Sequence, residues 1–304
     1  MEDRLKILII RSGALGDTLL LMPLINALSG HRIIIMGRKP GIDYLEPFVE
    51  QCIDIERGGW HRLFGPEPDI DIPCPQVDHV IAYVNDRDNV FSGNLVHLFP
   101  GSKIDIFPPF PDPASGTHVV LHMAYALQSA GIPVDPGKTL NDALEKPAIQ
   151  SNRDAGKKIL LHPGSGSKKK NYSHDFWFYL AGLINKILES SMEIYFLLGP
   201  AEENILPIIE KKAGEYNAKT ACPAGEELLS ILKDACLYIG HDSGVTHLAA
   251  MLGINTIALF KDSSIDQWRP LGPMVKIIKP GGDEKDILER TIGEAVKFLN
   301  NVTK

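Results

Sequence analysis

The chain has 304 residues, 44% of them apolar, and a formal charge of −7, which is enough apolar material for two cores of ordinary size. The acidic balance excludes a nucleic-acid backbone as ligand, since that needs a strongly positive face. The whole excess sits early: residues 1–150 hold 12 Lys and Arg against 19 Asp and Glu, and residues 151–304 hold 19 of each.

Cys52, Cys74, Cys222 and Cys236 are widely spaced with no C-x-x-C pair, so neither a zinc ribbon nor a disulfide framework is expected and a reducing compartment fits. Met1-Glu2-Asp3-Arg4 lacks the basic flank of a secretory signal, and no apolar run approaches the ~20 residues of a membrane span. A cytoplasmic location is the expectation.

In chain order, strand-length apolar runs occur at Leu5–Ile10, Arg32–Met36, His79–Val84 and Leu95–Phe99, with helical patterns between most of them. The first run ends in Arg11-Ser12-Gly13-Ala14-Leu15-Gly16-Asp17. A dinucleotide fingerprint needs glycines at 13, 15 and 18, and Leu15 and Thr18 stand there, so a nicotinamide or flavin site is not supported. Asp17, near a helix start, is a base for a substrate hydroxyl or simply a complement to the helix dipole. Residues 58–76 and 100–116, rich in Pro, Gly and Asp, predict long loops. Their aromatic and aliphatic residues, Trp60, Leu63 and Phe64, then Ile106, Phe107 and Phe110, either pack beneath the first domain or dip shallowly into a membrane surface.

From Thr139 to Lys158 the pattern turns polar and irregular, which places a boundary between domains 1–150 and 151–304. A second strand-and-helix series then begins at Lys158–Leu161. It continues through a helix with Leu180, Leu183, Ile184, Ile187 and Leu188 on one face, and strands at Ile194–Leu198, Leu237–Ile239 and Thr256–Phe260. The alternation predicts an α/β protein of two Rossmann-like domains facing each other across a cleft.

Three turns in the second half carry chemistry. His162-Pro163-Gly164-Ser165-Gly166-Ser167-Lys168-Lys169-Lys170 follows a strand; its glycines admit an anion close to the backbone, and at most one of the lysines is expected to point inward, the others being solvated. Glu202 and Glu203 follow the strand ending at Leu198, as ligands for sugar or ribose hydroxyls or as dipole complements. Gly240-His241-Asp242-Ser243-Gly244-Val245-Thr246-His247 joins a strand to a helix whose unpaired N–H groups suit a phosphate, Asp242 being a ligand or only a cap.

These segments, in this order, resemble glycosyltransferase family 9, the ADP-heptose:lipopolysaccharide heptosyltransferases. The resemblance rests on Ile7–Arg11 leading into Gly13–Leu19, on His162–Gly166 with Lys170, and on Asp242–Ala250 continuing through Gly253, Thr256, Ala258, Leu259 and Phe260 to Trp268 and Pro270. It implies a GT-B architecture and inverting transfer with no metal and no cofactor, the donor held mainly by the second domain and the acceptor by the first. On it, Asp17 is the catalytic base, Lys170, His247 and the Ser243-Gly244-Val245 backbone stabilise the leaving diphosphate together with the Gly164-Ser165-Gly166 turn, and Asp242 with Glu202 or Glu203 contacts the donor sugar or ribose. The implied partners are a sugar nucleotide, ADP-heptose first, and a glycan or lipid-linked acceptor, with peripheral contact at the cytoplasmic membrane face. Two segments depart from the family pattern. Asn85-Asp86-Arg87-Asp88-Asn89 stands where Asp-Leu-Gln-Gly is common, and Lys261-Asp262-Ser263 where Gly-Pro-Thr is usual. A phosphorylated lipid A and Kdo acceptor calls for a basic first domain, for which Arg11, Arg57, Arg62 and Arg87 are the available cations. The same scaffold also serves a nucleotide-sugar epimerase or a non-catalytic glycan or sugar-nucleotide binder.

Overall fold

A computed structural model describes residues 4–66, 72–150, 156–187, 192–199, 202 and 206–302. The chain divides into two compact units, Met1–Asp142 and Ala143–Lys304, each an α/β unit on a parallel sheet.

The first sheet has five strands in the order β3-β2-β1-β4-β5: β1 (Lys6–Arg11), β2 (Arg32–Gly37), β3 (Gln51–Asp54), β4 (His79–Tyr83) and β5 (Lys103–Phe107). Ile7, Leu8, Ile9 and Ile10 are wholly buried, because a central parallel strand is covered on both faces and so reads as a continuous apolar run. It pairs with β2 from Lys6 opposite Arg32 to Arg11 opposite Gly37, and with β4 from Ile7 opposite His79. The chain runs outward through β2 and β3 and then returns to the other side of β1. Ligands of such sheets bind at that reversal, outside the carboxyl ends of the strands.

Leu95–Phe99, expected as a strand, lies instead in helix α3 (Val90–Leu98) and its cap. Phe91, Asn94 and Leu95 are its buried residues, a helical spacing that a five-residue apolar run does not reveal. The helix start is held by Asp86, whose two carboxylate oxygens accept from the N–H groups of Phe91 and Ser92 at 3.1 and 2.9 Å. The fifth strand is β5, inside the segment expected to be a loop. Ile104 and Ile106 alternate onto the core, while Asp105 pairs with His79 at 2.7 Å. Trp60 and Leu63 are buried in that same core, so packing accounts for them; Phe64 and Phe110 stay 49% and 42% exposed.

The stretch from Thr139 onward is less irregular than expected, because α5 (Pro136–Glu145) occupies its start. Proline at the first helical position costs no hydrogen bond, and Asp135 Oδ1 accepts the Lys138 N–H at 2.9 Å. Residues after 142 belong with the second unit, where the Ile149 N–H donates to the Met251 carbonyl.

The second sheet has six strands in the order β11-β10-β9-β6-β7-β8: β6 (Lys158–His162), β7 (Glu193–Leu197), β8 (Ala218–Ala221), β9 (Ala235–His241), β10 (Thr256–Leu259) and β11 (Val275–Ile278). Two of these, β8 and β11, are four-residue outer strands too short to stand out in the sequence. Helices α6 (His174–Ile187) and α11 (Glu284–Val302) supply apolar faces to a core that includes Trp177, Leu180, Ile184, Ile287 and Phe298. Leu188, expected on the same face of α6, lies outside the described residues. Here β6 is followed outward by β7 and β8, and the chain returns to β9 on the opposite side, so the reversal falls between β6 and β9. No helix among the described residues is long and apolar enough to cross a membrane.

Candidate active site

The turns leaving β6 and β9 therefore emerge side by side at the reversal of the second sheet. Seven residues of β9 are buried, and the chain passes from His241 through Asp242 and Ser243 into α9 (Gly244–Met251). The Ser243 hydroxyl caps that helix, accepting from the Thr246 N–H at 3.3 Å, while the amides of Gly244 and Val245 open the first turn. A helix start of this kind is electropositive without any basic side chain.

A cation is also present. Of three adjacent lysines, Lys168 and Lys169 are exposed, whereas half-buried Lys170 reaches Asp242, Nζ to Oδ2 at 2.7 Å. The other carboxylate oxygen lies 3.7 Å from His247 Nε2. Asp242 is only 5% exposed. Burial pushes its carboxyl up, yet His247 and Lys170 outweigh that and hold it down at about 2, so it is an anion. The family resemblance implies a donor contact for Asp242; in the structure its carboxylate engages the lysine and the imidazole, and Ser243, not Asp242, is the cap. His247 Nδ1 is buried with no hydrogen-bond partner.

The companion turn is built closely. A Cβ on Gly164 would lie 2.5 Å from the Glu202 carboxylate, which accepts the Gly199 N–H at 2.9 Å. Glycine at 164 thus leaves room for the Glu202 carboxylate to lie against the turn after β6. Ser165 Oγ lies 2.6 Å from Asn171 Oδ1 and 2.9 Å from the Ser167 carbonyl, folding the loop back on itself, with Gly166 exposed at its tip. Glu203 lies outside the described residues. Lys261, in one of the departures from the family pattern, donates to the Asn171 carbonyl at 2.9 Å and lies over the Tyr172 ring.

Beneath both turns runs a buried polar chain that sequence reasoning missed. His162 Nδ1 lies 2.8 Å from the Tyr238 hydroxyl, which lies 3.1 Å from Thr246 Oγ1, itself 3.0 Å from Ser243 Oγ; Thr246 also donates to the His241 carbonyl. Desolvation pushes His162 down to about 4, so the chain is neutral and its hydroxyls keep the cap oriented. The signal was Gly240, two residues beyond Tyr238 on the same strand face. A Cβ there would meet the Tyr238 hydroxyl at 2.5 Å.

In the first unit, Asp17 is the third residue of α1 (Leu15–Leu19). Its Oδ2 accepts the Ala14 N–H at 2.9 Å, so the dipole-complementing arrangement is present. A Cβ on Gly13 would lie 2.4 Å from the Asp17 side chain, which makes glycine the residue that lets the carboxylate fold back over the turn. Arg11, 1% exposed, donates from Nε to the Asp17 carbonyl and from Nη1 to the Pro109 carbonyl, at 2.8 and 2.9 Å. Its guanidinium lies between the Tyr83 and Phe110 rings, 5.9 and 5.3 Å from their centroids. Among the described residues no group of three or more His, Cys, Asp or Glu side chains is arranged to hold a metal ion.

A model of glycosyltransferase family 9 (heptosyltransferase) matches residues 109–291, more than half of the chain. The chain belongs to glycosyltransferase family 9. Its matched part contains the whole Lys170, Asp242 and His247 cluster, while Asp17 lies outside it. The family 9 glycosyl transferase of Veillonella parvula superposes with a TM-score of 0.71 at 15% identity, covering 99% of each chain. Escherichia coli heptosyltransferase WaaC with ADP gives 0.69 at 15%, over 96% of this chain and 99% of that one. E. coli ADP-heptose lipopolysaccharide heptosyltransferase II gives 0.67 at 19%, over 98% and 100%. At these identities the likeness establishes the GT-B fold of this family 9 glycosyltransferase. No curated protein sequence matches the chain.

Proposed function

We propose that this glycosyltransferase moves a heptose or a closely related sugar from ADP-heptose to a glycan or lipid-linked acceptor, with inversion and without a metal ion. The observation that carries the reading is the convergence, at the reversal of the second sheet, of the capped α9 start with a lysine held by a buried carboxylate. A departing ADP develops negative charge on its diphosphate, and fixed donors aimed there lower the barrier. Lys170 has three N–H donors and Asp242 engages one. The others remain for phosphate oxygens, with the Ser243, Gly244 and Val245 amides on the same anion and the Gly164-Ser165-Gly166 turn alongside. Asp242 then acts by aiming Lys170 and His247, and one of Glu202 or Glu203 contacts the donor sugar or ribose. WaaC, with ADP in its solved structure, supports the choice of nucleotide.

Asp17 is the base in this account. It takes the proton of the acceptor hydroxyl as that oxygen bonds to the anomeric carbon and the diphosphate leaves from the opposite face. An acceptor anchored in lipid would bring the protein to the cytoplasmic membrane face. The test is ADP release from ADP-heptose with and without an inner-core acceptor. Asp17→Asn should lower transfer at least about a hundredfold with donor affinity changed less than about twofold. Turnover unchanged in that variant removes Asp17 from the mechanism, and absence of donor binding removes the donor assignment.

A further inference from the structure

We propose, resting on the transferase reading above, that the ring receiving the transferred sugar is an uncharged one, held in a pocket of the first unit beside Asp17. That pocket, about 270 Å³, is lined by Ser12, Arg38, Ile55, Glu56, His61 and Phe64. It opens at the carboxyl ends of β1, β2 and β3, the edge where ligands of such sheets bind. Ser12 adjoins Gly13, the residue over which the Asp17 carboxylate folds. The pocket therefore borders the turn that carries the proposed base. The volume lies just under the roughly 300–1,000 Å³ of sites for drug-sized ligands, which suits a single sugar ring.

The lining is chemically suited to a neutral polyol. Phe64 stacks on Phe91 with centroids 4.9 Å apart and remains 49% exposed, an aromatic surface for the apolar face of a pyranose. Arg38 and Glu56 form an ion pair at 3.0 Å, both more than half exposed. Together they offer N–H donors and carboxylate acceptors, the combination that vicinal hydroxyls need.

The charge count favours the same answer. The neighbouring lysines and arginines are already engaged: Arg38 with Glu56, Lys39 with Asp43 at 2.9 Å, Arg57 with Asp54 at 3.4 Å, and Arg62 in a contact of its own. Arg11 is buried under Phe110. Arg87 lines a different cavity, of about 590 Å³, on the other side of β1 at the ends of β4 and β5. None of these arginines offers the Ser12 pocket an unpaired cation of the kind a charged acceptor ring calls for. A phosphate or carboxylate in the Ser12 pocket would have to break an ion pair and would face Glu56.

Saturation-transfer NMR on the full chain tests this, using methyl glycosides of neutral hexoses and heptoses against the corresponding uronic acids and sugar phosphates, with ADP titrated separately into the same protein. The neutral glycosides should bind, with an affinity insensitive to ionic strength. Phe64→Ala should weaken them about tenfold and Phe64→Tyr should restore them, with circular dichroism confirming that both variants fold. The proposal is overturned if the anionic sugars bind better, if Phe64→Ala binds as the parent does, or if ADP binds while no sugar does. Failure of ADP to bind the parent protein counts against the transferase reading instead.

Discussion

Asp242 shows how a buried charge is kept at this site. An isolated carboxylate at 5% exposure would be driven to its neutral form, and Lys170 at 2.7 Å with His247 at 3.7 Å reverses that. Its carboxyl is held down at about 2, so the unfolded chain takes up the proton first as pH falls. The stabilisation is therefore complete above about pH 5 and is lost progressively toward about pH 2, by about 2 kcal/mol in total. Urea unfolding across that range should show a steeper acid loss in the parent protein than in Asp242→Asn. Equal acid slopes would mean that the pairing contributes nothing to folding. At this scale the sequence was informative about which residues cluster and silent about how they pair: the Lys170 to Asp242 bridge joins positions 72 apart in the chain, and no local spacing encodes it.

At the scale of elements, the start of α9 is the part whose geometry matters most. Ser243 is its N-cap, so Ser243→Ala should cost about 1 kcal/mol of stability and weaken ADP binding several-fold, measured by chemical denaturation and titration calorimetry. Stability and affinity both unchanged would show that the cap does not organise the turn. This element was legible because an apolar strand, a polar turn with glycine and an apolar helix face follow one another without interruption. The misreading of Leu95–Phe99 has the opposite cause. Its helix is set by Asp86 reaching forward to Phe91 and Ser92, a contact outside the apolar window, and β5 next to it alternates polar and apolar residues within a Pro- and Gly-rich stretch. The polar chain from His162 through Tyr238 to Ser243 was hidden for a related reason, since its members come from separate strands and a helix.

For the whole molecule, two parallel sheets each reverse their strand order once, and each reversal gathers polar turns: Arg11 to Asp17 in one unit, His162 to Lys170 and Asp242 to His247 in the other. The α/β class followed from the repeated runs of buried-strand type, whereas the outer strands β3, β8 and β11 are too short to announce themselves. The acidic balance of the first half has a structural counterpart in its cations, which are largely paired or buried. If the reversal of the second sheet holds the diphosphate of a sugar nucleotide, a crystal structure of the full chain with ADP will show it. Phosphate oxygens should lie within hydrogen-bonding distance of Lys170 Nζ and of the Ser243 and Gly244 amides; a nucleotide bound elsewhere, with the Lys170 to Asp242 pair and the α9 start left untouched, would rule out a diphosphate site at this reversal.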